Sequence, residues 1–283
     1  MNSLCLLACQ VAIPRTRIAA ERDNHLANLS HRIRAASKPG QHDLIVLPEL
    51  SSIEYSDEAF VLIDQLAEPL DGPSFETISA LARELKSTVV FGFPRSDAPG
   101  RPKICQAAIG LDGNLIGHYD KLHLAQFGDS AESAAFAAGD HLFTFTVAGV
   151  KIALSICYDI RFPELTKKLA DQGVDVVLQC SAYARDLSFH SWRSFVVTRA
   201  MEYGFAWLGL NRAGDHWGGS IWCPGFADSE TPELIFGTGE IFENLTLPGD
   251  FRATNSARLP INRDRRTDYQ QLQIFSNGTA DTD

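Results

Sequence analysis

The chain has 283 residues, 45% of them hydrophobic and 21% charged, with a formal net charge of −10 at pH 7. That length and apolar content fit one large globular domain, expected over residues 1–270, with a polar tail at 271–283. The acidic balance argues against duplex nucleic acid or an anionic membrane surface as a partner, and Arg263, Arg265 and Arg266 are interleaved with Asp264 and Asp268 rather than forming a basic block.

The N-terminal run MNSLCLLACQVAIP has no basic residue before Arg15, and its apolar stretch before Cys9 is too short for a signal peptide. LCLLACQVAI (4–13) therefore reads as the first core strand. Residues 17–37 place Ile18, Leu26, Leu29 and Ile33 on one face of a helix. DLIVLPEL (43–50) is a buried strand ended by Pro48. A second amphipathic helix over 74–86 turns Phe75, Ile78, Leu81 and Leu85 inward, with Ser74 as its N-cap. STVVFGF (87–93) is a strand, and ICQAAIGL and NLIGHYDK form a hairpin across Asp112-Gly113.

The second half repeats this style. FTFTV and VKIALSIC (143–157) pair as strands, and Pro163 and Gly173 bracket a short helix. VDVVLQCS (174–181) is a strand, 189–203 a helix, and FAWLGLNR and GGSIWCPG are strands again. A hairpin-like pair is expected near 234–247, and the terminal SNGTADTD is polar. Strands alternating with helices argue an α/β fold with mixed sheets. No apolar run is long enough for a membrane span. The six cysteines are scattered, with no Cys-x-x-Cys pair, so the expectation is a reduced, soluble, cytoplasmic protein without a disulfide framework or zinc knuckle.

Three strand ends carry polar residues with chemical potential: Glu49 after LIVLP, Lys121 after LIGHYD and Cys157 after IALSI. Ligands of α/β folds bind in the crevice beyond strand ends, where three such side chains could converge. Singly, each has a bland reading: a solvated turn acid, a hairpin lysine, a small apolar filler.

The local sequences LPEL, YDKLHL and CYDIRFPEL resemble, in order, the three signature motifs of the nitrilase superfamily of carbon–nitrogen hydrolases. The resemblance spans most of the chain and implies a four-layer α–β–β–α sandwich with a Glu–Lys–Cys triad, here Glu49, Lys121 and Cys157. It also implies a homodimer or larger homo-oligomer, a small-molecule amide substrate, and no metal or cofactor. Glu49 would take the thiol proton and Lys121 would supply the cation. A thiol with a pKa of about 8.5 needs such help at neutral pH. The Lys121 ammonium and the Tyr158 N–H would stabilise the oxyanion. Glu132 falls where relatives carry a further Glu that orients the lysine. Tyr55 matches an aromatic pocket wall, although Glu54 precedes it where a Gly is usual.

Asp159, Arg161 and Glu164 are expected to brace the nucleophile turn through ion pairs and hydrogen bonds. Trp192, Arg199 and Glu202 resemble a helical element used for dimer contacts and shape, with Tyr203 in place of the usual Asn. Ser181, Ala182, Tyr183, Asn211 and Arg212 resemble strand ends that line the substrate pocket, and Arg185, His190 and Arg212 are candidate anchors for a substrate carboxylate. CYD and KLHL are similar to the ω-amidase and deaminated-glutathione amidase group. The leading expectation is thus an ω-monoamide of a dicarboxylic acid, ahead of N-carbamoyl compounds, aliphatic amides and nitriles. No G-x-S-x-G and no H-E-x-x-H is present, which leaves little for a serine or metallohydrolase reading. A catalytically inactive binding or scaffold relative is the alternative of a different class.

Overall fold

The computed structural model describes residues 3–127 and 130–273. In chain order the first half runs β1 (Leu4–Gln10), α1 (Ala19–Ala36), β2 (Leu44–Val46), α2 (Asp57–Val61), α3 (Ile63–Leu66), α4 (Pro73–Leu85), β3 (Thr88–Arg95), β4 (Lys103–Ile109) and β5 (Leu115–Asp120). The second half runs α5 (Glu132–Ala135), β6 (Thr144–Val147), β7 (Val150–Ile156), α6 (Pro163–Asp171), β8 (Val176–Cys180), α7 (Trp192–Tyr203), β9 (Ala206–Leu210), β10 (Ile221–Cys223), β11 (Leu234–Ile235), β12 (Ile241–Leu247), α8 (Phe251–Arg258) and α9 (Ile261–Asp264).

The strands form two six-stranded mixed sheets, ordered β12-β1-β2-β3-β4-β5 and β11-β10-β9-β8-β7-β6. In each, a parallel centre (β1, β2, β3; β7, β8, β9) is flanked by antiparallel strands. Side chains alternate between faces along a strand. In the first sheet Leu4, Leu6, Ala8, Leu44, Val46 and Val90 pack toward the second sheet, while Leu7, Cys9, Ile45, Val89 and Phe91 pack under α1 and α4. Helices α6 and α7 cover the second sheet through Leu165, Leu169, Trp192, Val196 and Ala200. The architecture is the expected four-layer α–β–β–α sandwich.

Local chemistry explains the boundaries. In α1 the buried stripe is Leu26, Leu29 and Ile33, each worth about 1.5–3 kcal/mol of burial. Ile18, expected on that stripe, is instead the extended residue before the helix and is 55% exposed. Helix α4 begins with Pro73 at its first position, so Ser74 lies inside the first turn and does not cap it. The Glu68 carboxylate takes that role, accepting from the Ser74 amide at 3.0 Å and from its hydroxyl. The β4–β5 hairpin turns where Gly113 adopts φ +81° and Asp112 accepts from the Asn114 amide.

One expectation fails at the level of topology. The strands near 234–247 are not a hairpin. β11 pairs with β10 in the second sheet, whereas β12 crosses to the first sheet and pairs antiparallel with β1, Leu245 opposite Leu6. The crossing buries Leu245 and Leu247 in the inter-sheet core and covers an edge of β1 that would otherwise be unpaired. Helices α8 and α9 then follow in a stretch that carried no sequence expectation. Most of the expected polar tail, including SNGTADTD at 276–283, lies outside the described residues. Among the described residues no helix is long and apolar enough to cross a membrane.

Candidate active site

Glu49, Lys121 and Cys157 follow the C-terminal ends of β2, β5 and β7, and all three side chains are buried. The two sheets bring these ends to one place. Lys121 Nζ donates to Glu49 Oε1 at 2.8 Å and to Glu132 Oε1 at 2.6 Å. The second oxygen of each carboxylate is also satisfied: Glu49 Oε2 accepts from the Ala182 amide at 2.7 Å, and Glu132 Oε2 from the Ala125 amide at 2.7 Å. The Tyr55 hydroxyl donates to Glu132 Oε1 at 2.6 Å. Glu132 is fully buried, its amide donating to the Ala125 carbonyl at 3.1 Å. A buried lysine shared by two carboxylates, each also held by a backbone amide, is a fixed network.

Cys157 begins a tight 3₁₀ turn, Cys157–Arg161, with φ +43°. That left-handed backbone costs a non-glycine residue about 1–3 kcal/mol and persists only where surroundings over-determine it. Asp159 does much of that work. Its carboxylate accepts from the Ile156 amide at 3.1 Å, the Tyr119 hydroxyl at 2.7 Å, and the His123 amide and Nδ1 at 3.0 and 2.7 Å. Gln179 Nε2 donates to the Cys157 carbonyl at 2.7 Å, and Arg199 Nε to the Ile160 carbonyl at 2.8 Å.

The Glu49 loop is held by parallel means. Gln106 Nε2 donates to the Leu47 carbonyl at 2.8 Å, and the Arg212 guanidinium donates to the carbonyls of Leu50 and Ile53. Gly92 admits the loop against β3: a Cβ there would meet the Leu50 amide nitrogen at 2.5 Å.

Several expected roles change. Arg161 makes no ion pair with any carboxylate among the described residues; it donates to the Tyr183 hydroxyl at 2.5 Å, and its buried Nε has no partner. Its guanidinium lies 5.0 Å from the Phe127 and Phe195 ring centres, 5.9 Å from Tyr158 and 5.8 Å from Tyr183. Glu164 is exposed on the first turn of α6, and among the described residues nothing ties its side chain to the nucleophile turn. The turn is braced by Asp159 together with Gln179 and Arg199, so Arg199 does more than shape a helix.

Arg212 is buried with its Nη2 donating to backbone carbonyls of the Glu49 loop, and His190 is exposed. Ser181 is fully buried, its amide donating to the Leu210 carbonyl; Ala182 and Tyr183 form the pocket wall. Asn211 fixes that wall, accepting from the Tyr183 amide at 2.9 Å and donating to its carbonyl at 2.9 Å. The glutamines were missed by the sequence reading. Gln10, Gln106 and Gln179 are fully buried in otherwise apolar strands, a signal that each needs a specific partner.

Cys157 opens into a pocket whose wall includes Phe127, Tyr158, Ala182, Tyr183 and Asp186. Burial and then the Glu49 charge push the thiol pKa well up, with Lys121 opposing, so the resting sulfur is a neutral thiol. Burial raises the Glu49 pKa as well, against the pull of Lys121. For Lys121, burial alone would lower the pKa, but Glu132 and Glu49 together outweigh it and hold the ammonium charged. Among the described residues no group of three or more His, Cys, Asp or Glu side chains is arranged to hold a metal ion. The arrangement can take a proton from a thiol, return it elsewhere, and hold a fixed cation beside the sulfur.

A family model described as carbon–nitrogen hydrolase matches residues 8–231. The chain is 34% identical over 154 residues to a protein named "Hydrolase in pqqF 5'region" from Pseudomonas protegens, covering 53% of this chain and 52% of that one. It is 25% identical over 281 residues to omega-amidase NIT2 of Homo sapiens, covering 94% of this chain and 98% of the relative. The chain spans about half the length of the first curated relatives it matches. Among solved structures, Saccharomyces cerevisiae Nit3, described as a member of branch 10 of the nitrilase superfamily, aligns with a TM-score of 0.79 at 22% identity, covering 94% of this chain and 97% of that one.

Proposed function

The chain belongs to the carbon–nitrogen hydrolase family of the nitrilase superfamily, and from that membership and the geometry of the site we propose that it hydrolyses a small-molecule amide through a thioester on Cys157. The observation that carries this reading is the buried Lys121 ammonium shared by Glu49 and Glu132 beside a thiol on a strained turn.

As the sulfur attacks the amide carbonyl carbon, the thiol proton passes to Glu49. The total charge of the buried site is unchanged, since a carboxylate and a thiol become a carboxylic acid and a sulfur bonded to substrate. The charge instead appears on the carbonyl oxygen, where the Lys121 ammonium and the Tyr158 N–H serve as donors. Losing one such donor typically costs about 100- to 1,000-fold in turnover. Collapse of the tetrahedral intermediate breaks the C–N bond, and Glu49 gives its proton to the departing nitrogen. Water then attacks the thioester; Glu49 accepts its proton and returns it to the sulfur as the acid leaves.

For the substrate, an ω-monoamide of a dicarboxylic acid is supported by Arg161. This cation has no carboxylate partner among the described residues and stands behind Phe127, Tyr158 and Tyr183, three residues of the pocket wall. A guanidinium so placed beside the pocket favours an anionic group on the ligand. Glutaric monoamide and butyramide differ by that carboxylate alone at the far end of the chain. A kcat/KM at least about tenfold higher for the monoamide, falling toward parity in Arg161→Met, is the expected result. Equal rates for the two amides in the wild-type protein would overturn the substrate class, and release of neither ammonia nor acid from any amide would overturn the activity.

A further inference from the structure

We propose that a second chamber beside the Cys157 pocket holds the leaving amine, so that the substrate is a secondary amide whose nitrogen carries a flat, uncharged organic group. This rests on the amide hydrolysis proposed above and deepens it. The chamber measures about 450 Å³ and is walled by Tyr55, Ser130, Ala184, Arg185 and Trp217. Ser130 and Ala184 also line the Cys157 pocket, so the two spaces adjoin. A molecule the size of ammonia or water occupies about 30 Å³ in the liquid, and would leave the chamber almost empty.

The side on which the chamber lies assigns its occupant. Tyr55, its wall, donates to Glu132 Oε1 at 2.6 Å, and its oxygen accepts from the Ser130 hydroxyl at 3.1 Å. Glu132 holds Lys121, and Lys121 holds Glu49. The departing nitrogen must face Glu49 to receive its proton, so a substituent on that nitrogen points toward the Tyr55 wall. Arg161, Tyr158 and Tyr183 remain for the acyl group.

The chamber's chemistry selects the substituent. Tyr55 and Trp217 stand edge to face, with ring centres 6.0 Å apart and planes at 75°, a corner suited to a third ring. The Trp217 carbonyl accepts from Arg185 Nε at 2.5 Å, and Arg185 in turn stacks on Phe189 at 4.2 Å, which holds the corner in place. The chamber's lining carries charges of both signs, Arg185 on one hand and Asp57 and Glu58 on the other. In the step itself the S–C bond forms, the C–N bond breaks, and the thiol proton carried by Glu49 leaves on the amine. Water supplies the acid product, so no further reactant is needed.

The test compares three substrates with the wild-type protein and Trp217→Ala: glutaric monoamide, glutaric monoanilide, and a primary amide whose acyl chain ends in a phenyl ring. Hydrolysis of the monoanilide is expected, with the ratio of its kcat/KM to that of the monoamide falling about tenfold in Trp217→Ala; the ratio cancels the anilide's intrinsic reactivity. The inference is overturned, and the activity stands, if the monoamide is hydrolysed while the monoanilide neither reacts nor competes with it in the wild-type protein. It is equally overturned if the substitution leaves the ratio unchanged, or if it penalises the phenyl-bearing primary amide instead, which would put the chamber on the acyl side. Hydrolysis of none of the three overturns the proposed activity along with the inference.

Discussion

Gln179 donates its side-chain N–H to the carbonyl of Cys157 at 2.7 Å, from the strand next to the one that Cys157 ends. The same amide accepts from Trp207 Nε1 at 3.2 Å, so a single buried residue ties the nucleophile's backbone to the core of the second sheet. Replacing Gln179 with Leu strands a buried carbonyl and a buried indole N–H, each costing about 1–3 kcal/mol. Gln179→Leu is expected to lower stability by about 2–4 kcal/mol in urea unfolding and to lower kcat more than it raises KM. A normal kcat in a destabilised variant would show that the turn keeps its geometry without this bond.

The φ of +43° at Cys157 makes a second prediction from backbone strain. Glycine adopts that conformation without the Cβ penalty, whereas alanine does not. Cys157→Gly and Cys157→Ala should both be inactive and folded, with the glycine variant more stable by about 1 kcal/mol. Equal denaturation midpoints, or a less stable glycine variant, would mean that the turn imposes no such strain.

Activity should depend on pH in an asymmetric way. Glu49 must be ionised to take the thiol proton, and burial raises its pKa above the ordinary carboxylate range. The kcat/KM is therefore expected to fall on the acid side at a pH above about 4.3, the usual value for a glutamate. Lys121 and Cys157 are both held well above their ordinary values, so no alkaline loss is expected near the usual thiol pKa of about 8.5. Glu49→Gln should abolish the acid limb along with nearly all turnover. A bell-shaped profile with an alkaline limb near the usual thiol value would contradict a neutral resting thiol.

Stability should carry a separate pH signature from His25. Burial lowers its pKa to about 4, and its Nε2 lies 2.9 Å from the Ser51 carbonyl in the Glu49 loop. Between that value and the unfolded pKa of about 6.5 the unfolded chain binds the extra proton, so stability falls as pH drops through this window. The shift corresponds to about 3 kcal/mol, fully present above pH ~6.5 and lost by pH ~4. Glu49 acts in the opposite sense, since a raised carboxylate pKa favours the folded state on acidification. Unfolding measured across this range should therefore flatten in His25→Gln, and a slope identical to the wild-type slope would remove His25 from the account.

Much of the fold and the chemistry was readable from the residues. Strand alternation around Leu6, Ile45 and Val89 and the motifs at Glu49, Lys121 and Cys157 lie within short windows, where local pattern decides local structure. What sequence could not show is how distant segments share one residue. Asp159 reaches Tyr119 and His123 from another strand end, and Arg199 reaches Ile160 from α7; neither spacing is local. Arg161 and Glu164 look like bracing ions in the linear motif. Burial puts one among aromatic rings and leaves the other in solvent. β12 likewise reads as half of a hairpin, because its partner β1 lies at the other end of the chain.

The central claim is a covalent acyl group on Cys157. Intact-protein mass spectrometry of samples quenched during turnover of glutaric monoamide, with peptide mapping of the modified species, tests it most directly. The account predicts a glutaryl adduct on the peptide bearing Cys157, absent from Cys157→Ala, together with ammonia release that disappears in the same variant. Ammonia release at the wild-type rate from Cys157→Ala, with no adduct on either protein, would contradict it.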